Sequence, residues 1–264
     1  MPLLEVIQQT HDMAGMAMGA AQNHDMGGMR MSGTFQGHVL PGVLFLFWAA
    51  WWTFRLVRSR GAEAYTKGLL ERGLFMPVAK VVLPVIGVVG ELAPGGWEWR
   101  PAMVNNFQHA IMYVGFMVAG VVDLLARAGR VSRSATYLAY VGAAGNAALL
   151  FAGHGHMGGL PDTVHQILVY VFAAAIVLAL VEIFIPDRGV AWLRVGAVYV
   201  LGLWFIEIAW MLYRSGWDMV DHHNQMKAYL FFSATLIGVT AALLALHQLL
   251  GAPGPGGRRR AREG

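Results

Sequence analysis

Residues 154–184 read HGHMGGLPDTVHQILVYVFAAAIVLALVEIF, and this stretch decides the fold. Its second part, from Val164 to about Ile185, is apolar over the roughly 20 residues that a helix needs to cross a bilayer. Its first part gathers three histidines, His154, His156 and His165, just before and within the start of that run. Imidazoles at the mouth of a membrane helix bundle are typical of metal or proton sites.

The sequence contains six further apolar runs of similar length. Only 13% of all residues are charged and 57% are apolar, whereas soluble domains carry about 25% charged residues. The sequence therefore predicts an all-α polytopic membrane protein with one bundle of about seven transmembrane helices. The predicted spans are 39–57, 74–92, 107–125, 135–152, 164–185, 195–213 and 228–250.

The distribution of Lys and Arg predicts the topology. Basic residues follow the first, third and fifth spans and fill the C-terminal segment, and such loops stay on the cytoplasmic side. We therefore expect the N-terminus outside, the C-terminus in the cytoplasm and the protein in the cell membrane. The domain organisation expected is an extracytoplasmic tail over 1–37, a seven-helix domain over 38–251 and a basic tail over 252–264.

This topology brings most of the histidines to the extracytoplasmic side, where they could converge on one ion. The chain has no cysteine, so only His, Met, Asp and Glu remain as protein ligands, a set that suits zinc, copper(II) or iron. The candidate ligands are His38, Glu91, His109, His154, His156, His165 and Glu207. The alternative is that these histidines hydrogen-bond between helices or lie at the lipid headgroups.

Other acidic residues have simpler explanations. Asp162 precedes His165 in LPDTVH, which is typical of a helix start, so we interpret it as a helix cap. Asp123 and Glu182 lie near the cytoplasmic ends of their spans, where we expect pairing with Arg127 or Arg188.

The N-terminal tail repeats the tripeptide HDM among many methionines. Thioether sulfur is a soft ligand for copper(I), and imidazole suits copper(II), so the tail favours copper over zinc or iron. The alternative is a flexible tail that is merely rich in methionine. The candidate capture residues are His11, Met13, Met16, Met18, His24, Met26, Met29 and Met31 in the tail, together with His222 and His223 before the last span.

Several motifs resemble the transmembrane protein 45 family. They are GHVLPG, GVVGEL, NNFQHAIMYVGFMVAGVVDLL, HGHMGGLPDTVHQILVYVFAAAIVLALVEIF, LGLWFIEI and WDMVDHHNQM, spread from about Gly37 to Leu246. The resemblance implies a bacterial member of a seven-helix membrane family whose biochemical activity is poorly defined. It also implies that the family's polar positions are kept at His38, Glu91, His109, Asp123, His154, His156, His165, Glu182, Asp218, Asp221 and Asn224.

Three features depart from that family. The family tends to have glutamine where Glu207 stands, and the spacing between Asp162 and His165 is one residue shorter here. The histidines at 222 and 223 and the Met- and His-rich tail are additions, and they favour copper.

Three functions fit these observations. The first is an integral membrane metal-binding protein that handles copper by binding, sensing or transfer. The second is a metal-dependent membrane enzyme, a hydrolase or an oxidase, that acts on a lipid-like substrate. The third is a transporter or channel. The expected partners are membrane lipids, the metal ion and an extracytoplasmic metal-donor protein, and no nucleic acid, because topology explains the basic residues.

Overall fold

A computed structural model describes residues 34–59, 73–153 and 158–251, and within these ranges the chain is helical without any strand. Seven helices there are long enough and apolar enough to cross a membrane. This confirms the predicted all-α fold and the number of spans. The helices are α1 (Phe35–Arg58), α2 (Phe75–Leu92), α3 (Val104–Arg127), α4 (Arg133–Ala152), α5 (Gly159–Phe184), α6 (Arg188–Tyr213) and α7 (His222–Gly251).

Most helices begin several residues before the apolar runs that predicted them, because polar caps set the start of a helix. At α1, the hydroxyl of Thr34 accepts a hydrogen bond from the amide of Gly37 at 2.9 Å. At α6, the carboxylate of Asp187 accepts from the amides of Gly189 and Val190. Side-chain oxygens at these positions satisfy amides that have no partner within the helix.

The helices run alternately up and down. The first turns of α1, α3 and α5 meet the last turns of α2, α4 and α6 at one end, which we call the histidine end because His38, His109 and His165 lie there. Around the bundle, α2 packs on α3, α3 on α4, α4 on α5, α5 on α6 and α6 on α1. Helix α7 packs outside α5 and α6. It buries only 6% of its apolar window, against 67% for α6, so α6 is central and α7 is peripheral.

A pair of glycines sets the close crossing of α1 and α6. A methyl group placed on Gly42 would lie 2.9 Å from the carbonyl oxygen of Gly202, and one on Gly202 would lie 2.9 Å from that of Gly42. Real Cβ atoms do not approach backbone this closely, so both positions require glycine for the helices to touch. The crossing fixes the height of α1, which carries His38, against α6.

Aromatic rings fill the centre of the bundle below the histidine end. Phe45 of α1 contacts rings from α3, α5 and α6 as well as its own helix, with ring centroids between 5.4 and 5.9 Å apart. Edge-to-face and offset contacts at these distances add to the stability that apolar burial gives. We call this set the aromatic layer; it consists of Phe45, Trp48, Phe116, Phe172 and Phe205.

The opposite end, which we call the ion-pair end, holds one buried and one partly buried salt bridge. The Lys80 ammonium lies 2.6 Å from the carboxylate of Asp123, and Arg194 pairs with Glu182. Both cations also face the ring of Trp52, at 5.6 and 4.7 Å from its centroid. Cation–π contacts of this kind add to each ion pair.

The expected pairing of Asp123 and Glu182 with Arg127 or Arg188 is therefore wrong. Arg188 opens α6 and donates instead to the carbonyl of Ser59 at 3.0 Å. Asp123 and Glu182 instead pair with cations carried by facing helices, Lys80 of α2 and Arg194 of α6.

Candidate metal centre

His38 and His165 are held in the same way, each by its own helix. The Nδ1 atom of His38 lies 3.0 Å from the carbonyl oxygen of Thr34, and that of His165 lies 2.7 Å from the carbonyl oxygen of Pro161. A carbonyl oxygen only accepts hydrogen bonds, so each Nδ1 must carry the hydrogen. In the neutral imidazole the lone pair is then on Nε2 in both rings.

These two Nε2 atoms face each other at 3.5 Å. The residues are 2% and 5% exposed, so bulk water does not separate them. Hydrogen bonds from N–H groups to oxygen are normally about 2.7–3.2 Å long, which is shorter than the observed separation. Two imidazole nitrogens bound at about 2.0–2.1 Å to one tetrahedral ion lie roughly 3.3–3.4 Å apart. The geometry is therefore close to that of two ligands of a single ion.

His109 of α3 lies beside this pair and is oriented by a carboxylate. Its Nδ1 atom is 3.4 Å from Oε2 of Glu91, and its ring centroid is 6.4 Å from that of His38. Asn106, one turn earlier on α3, donates to the Glu91 carbonyl at 3.1 Å and to Oε2 at 3.2 Å. A carboxylate on the far nitrogen is the usual support of a metal-bound histidine. Glu91 is thus positioned to orient His109, with Asn106 holding the carboxylate.

Aromatic rings fix the remaining faces of the imidazoles. Phe151 of α4 stacks on His165 with centroids 5.8 Å apart and an interplanar angle of 17°. Tyr213 of α6 lies 5.5 Å from His38. Rings packed in this way restrict rotation, so the two Nε2 atoms keep their mutual orientation. His154 follows Phe151 by only three residues along the chain.

No set of three or more His, Asp or Glu side chains is close enough to hold an ion in the ranges that the structure describes. Those ranges provide a two-nitrogen core, His38 and His165, with His109 beside it. The remaining histidines predicted for this site, His154 and His156, lie outside the described residues. So do the tail candidates His11, Met13, Met16, Met18, His24, Met26, Met29 and Met31.

Glu207 is not brought to the imidazoles. Its carboxylate accepts a hydrogen bond from the hydroxyl of Thr235 on α7, and it is absent from the residues that line the cavity next to the histidines. The structure therefore joins Glu207 to the peripheral helix rather than to the candidate centre.

The interpretation of Asp162 as the cap that precedes α5 is wrong, because Gly158 is the N-cap. The Oδ2 atom of Asp162 accepts a hydrogen bond from the amide of Gly158 at 3.0 Å. The helix begins at Gly159, so Asp162 lies inside the first turn and reaches back, rather than preceding the helix.

His222 and His223 open α7 at the surface of the histidine end. The His223 side chain is 84% exposed and its Nδ1 atom lies 3.3 Å from the Asp221 carboxylate. The backbone amide of His223 also donates to Asp221 at 2.9 Å, and this hydrogen bond lowers the pKa of the Asp221 carboxyl group. Both histidines are accessible from solvent and lie apart from the buried pair.

A cavity of about 40 Å³ adjoins the imidazoles, enough space for roughly two or three water molecules. His38, His109 and Tyr113 line it at the histidine end, and the aromatic layer forms its other walls. Trp48 of that layer is buried, and its indole N–H has no hydrogen-bond partner among the described residues. The cavity therefore has the imidazoles and Tyr113 at one end, and the other walls are aromatic with a single indole N–H among them.

Sequence reasoning did not identify several residues that build the site. Asn106 could have been found, because it precedes His109 by three residues and so shares its helix face. The carbonyls of Thr34 and Pro161 follow from the positions of His38 and His165 four residues later, once the helix starts are known. Phe151 and Tyr213 gave no signal of their own in the sequence.

One family model matches part of the chain. Residues 133–248 match a family of unknown function, DUF716, which is the family of the transmembrane protein 45 proteins. The matched segment runs from the start of α4 nearly to the end of α7. It includes His165 and the loop with His154 and His156, but not His38 or His109. The match is thus to the half of the bundle that contributes one of the two facing imidazoles.

Proposed function

We propose that this protein is an integral membrane metal-binding protein with its ion at the histidine end of the bundle. The observation that carries the proposal is the pair of facing Nε2 atoms of His38 and His165. Both rings donate Nδ1–H to a carbonyl, so in their neutral forms two lone pairs point at each other across 3.5 Å. A positive centre between the lone pairs would make that arrangement favourable.

A metal ion explains the spacing better than a shared proton does. A proton would draw the two nitrogens to about 3 Å, whereas a tetrahedral ion would hold them at roughly 3.3–3.4 Å. The backbone carbonyls at both Nδ1 atoms and the Glu91 carboxylate at His109 match the supports that orient metal-binding histidines. A proton shared by the two rings is the competing explanation, and metal analysis separates it from the proposal.

We further propose that the ion is copper, with zinc or iron as alternatives. His109, His154 and His156 are the candidates that would complete the ligand set, and a set of imidazoles suits all three metals. The methionines and the two HDM motifs of the N-terminal tail favour copper, because thioethers bind copper(I). In this proposal the tail and the His222–His223 pair capture the ion before it reaches the buried site.

The proposal includes orientation and family. The distribution of basic residues supports an extracytoplasmic histidine end in the cell membrane, where a metal-donor protein could deliver the ion. The partial family match, together with the motifs in α1 and α3, supports membership of the transmembrane protein 45 family.

Metal analysis of the purified full-length protein tests the proposal. Wild-type protein should retain a stoichiometric transition metal after dialysis, and His38→Ala and His165→Ala should each lose it. His247→Ala is the matched control, because His247 contacts Trp192 near the other end of the bundle, and it should keep the metal. Background metal in the wild type, or equal metal in all four proteins, would contradict the proposal.

A metal-dependent membrane enzyme is the second candidate function, and the cavity beside His38 and His109 favours it. A bound ion there could activate a water molecule held in that space. X-ray absorption on the loaded protein would discriminate: an exchangeable oxygen ligand supports an enzyme, and a complete shell of nitrogen and sulfur donors supports binding or transfer.

A further inference from the structure

A second, larger hollow opens toward the lipid beside the candidate metal centre. It is a groove of about 640 Å³ between α1 and α2, a volume in the range of small-molecule sites, roughly 300–1,000 Å³. Its walls are almost wholly apolar. We call it the lipid-facing groove; its lining includes Val43, Leu44, Phe47, Phe75, Val82 and Leu83.

The groove and the cavity at the imidazoles are neighbours that share one lining residue. Leu44 lines both spaces, and Leu83 of the groove is followed directly by Pro84 of the cavity. Leu44 is 9% exposed, so its side chain forms the partition between the two. A chain that lies in the groove therefore has one end at Leu44, behind which His38 and His109 line the cavity.

The shape and chemistry of the groove suit a hydrocarbon chain. It extends along α2 from Leu74 to Leu83, a rise of roughly 14 Å for an α-helix. Both helices are apolar enough to span the membrane, so acyl chains surround the opening. Half-exposed residues such as Val43 and Val82, at 49% and 48%, form its rims.

The small cavity and the larger groove differ in what they can hold. The cavity takes an ion and a few waters, and its aromatic walls offer a single indole N–H to a hydrophilic substrate. The groove takes a chain but has no charged or hydrogen-bonding side chain in its lining. Together they fit an amphipathic molecule with its polar group toward the imidazoles and its tail in the lipid-facing groove.

We propose that the lipid-facing groove binds a single acyl chain of a membrane lipid and directs the attached polar group past Leu44 toward the candidate metal centre. The proposal rests on the proposed function in one respect only, namely that the polar group meets a metal ion at the histidine end. It names the ligand class of that site, an acyl lipid that enters sideways from the bilayer between α1 and α2.

Photolabelling of the full-length protein in detergent tests this proposal. The probe is palmitic acid with a diazirine near the chain end, and mass spectrometry locates the label. We expect label on the groove faces of α1 and α2, displaced by unlabelled palmitic acid. Leu44→Trp and Val82→Trp should each reduce that label by about tenfold or more, because the indole fills the space that the chain occupies. Val82 is half exposed, so Val82→Trp disturbs packing least.

Leu138→Trp is the matched control, since Leu138 is 59% exposed on α4, away from the groove. It should leave the label on α1 and α2 unchanged. Label spread over all lipid-facing helices, or unaffected by both groove variants, would overturn the proposal. Metal content measured in the same samples keeps the two proposals apart. A metal-free wild type with groove-specific label would contradict only the proposed function. A metal-loaded protein without such label would contradict only the proposed binding of an acyl chain in the groove.

Discussion

The two ends of the bundle both bury ionisable side chains, but they neutralise them differently. At the ion-pair end, Lys80 faces Asp123 and Arg194 faces Glu182, so each charge is balanced by one on a neighbouring helix. At the histidine end, two imidazoles turn their Nε2 atoms toward each other at 3.5 Å. The first arrangement pairs opposite charges, whereas in our proposal the second holds a metal ion.

In the proposed function, the ion-pair end has a structural role and the histidine end is the functional one. A balanced buried pair mainly fixes how helices sit against each other, here α2 on α3 and α5 on α6, with Trp52 of α1 between the two cations. The aromatic layer separates that end from the histidines, and the indole N–H of Trp48 is its one polar group. This favours binding or chemistry at the histidine end over transport through the bundle, and ion flux in proteoliposomes would check it.

The largest effect is expected from breaking one buried ion pair. Glu182→Gln would remove the carboxylate charge that pairs with the buried Arg194 and should lower the free energy of unfolding by about 3–5 kcal/mol. Denaturant titration in detergent measures this. Glu98→Gln is the control, because Glu98 is 70% exposed and pairs with Arg100 at the surface. A loss below ~1 kcal/mol for Glu182→Gln would show that the pair is not the structural element of this end.

The next effect concerns the role of Glu91 at the histidine end. Glu91→Gln should weaken metal binding by about 10–100-fold, the usual cost of losing a group that orients a ligand. Competition with a chelator measures the affinity. If Glu91→Gln abolished binding as fully as His38→Ala, Glu91 would be a ligand itself and the assignment as an orienting group would be wrong.

A smaller loss of stability is expected at the crossing of α1 and α6, the helix pair that reaches both ends of the bundle. Gly42→Ala would push its methyl group against the carbonyl of Gly202, and such overpacking costs about 1–3 kcal/mol. Thermal unfolding and metal affinity should both fall, because α1 carries both His38 and Trp52. Gly238→Ala on α7, where no atom lies within 4 Å, serves as the control. Equal behaviour of the two variants would argue against a tight crossing.

The smallest effect is expected at the exposed histidines. Replacing His222 and His223 together by alanine should change the equilibrium metal affinity by less than about twofold, because surface changes remote from the buried site contribute little. The rate of metal loading should fall if the pair captures the ion. Stopped-flow mixing measures the rate, and a large loss of affinity instead would place these residues in the main site.

Predictions from the sequence succeeded where they depended on local pattern. The seven apolar runs predicted the seven helices, because burial in lipid requires about 20 apolar residues whatever the helix packs against. The start of α5 was misplaced, because Asp162 was interpreted as its cap but the helix begins at Gly159. The helix starts at Thr34 and Asp187 were placed too late, since hydropathy does not register the polar first turn of a helix.

Predictions of contacts between side chains on different helices were less successful. Asp123 and Glu182 were assigned arginines close in sequence, but their partners come from α2 and α6. Glu207 was grouped with the histidines from its depth in the membrane, yet it faces Thr235 on α7. Depth along a helix can be counted from the sequence, whereas the direction of a side chain around the axis depends on which helices are neighbours.

The sequence by itself determined that the chain is a helical membrane bundle with histidines gathered at the starts of α1, α3 and α5, because length, hydropathy and alternation are local properties. Only the tertiary structure decided that His38 and His165 share one space with their Nε2 atoms facing. That outcome required the glycine crossing of α1 on α6, the packing of α5 on α6 and two carbonyls that fix the tautomers. The carbonyls lie only four residues from their histidines. The Gly42–Gly202 crossing and the meeting of His38 with His165 join residues more than a hundred positions apart, and no local pattern encodes these contacts.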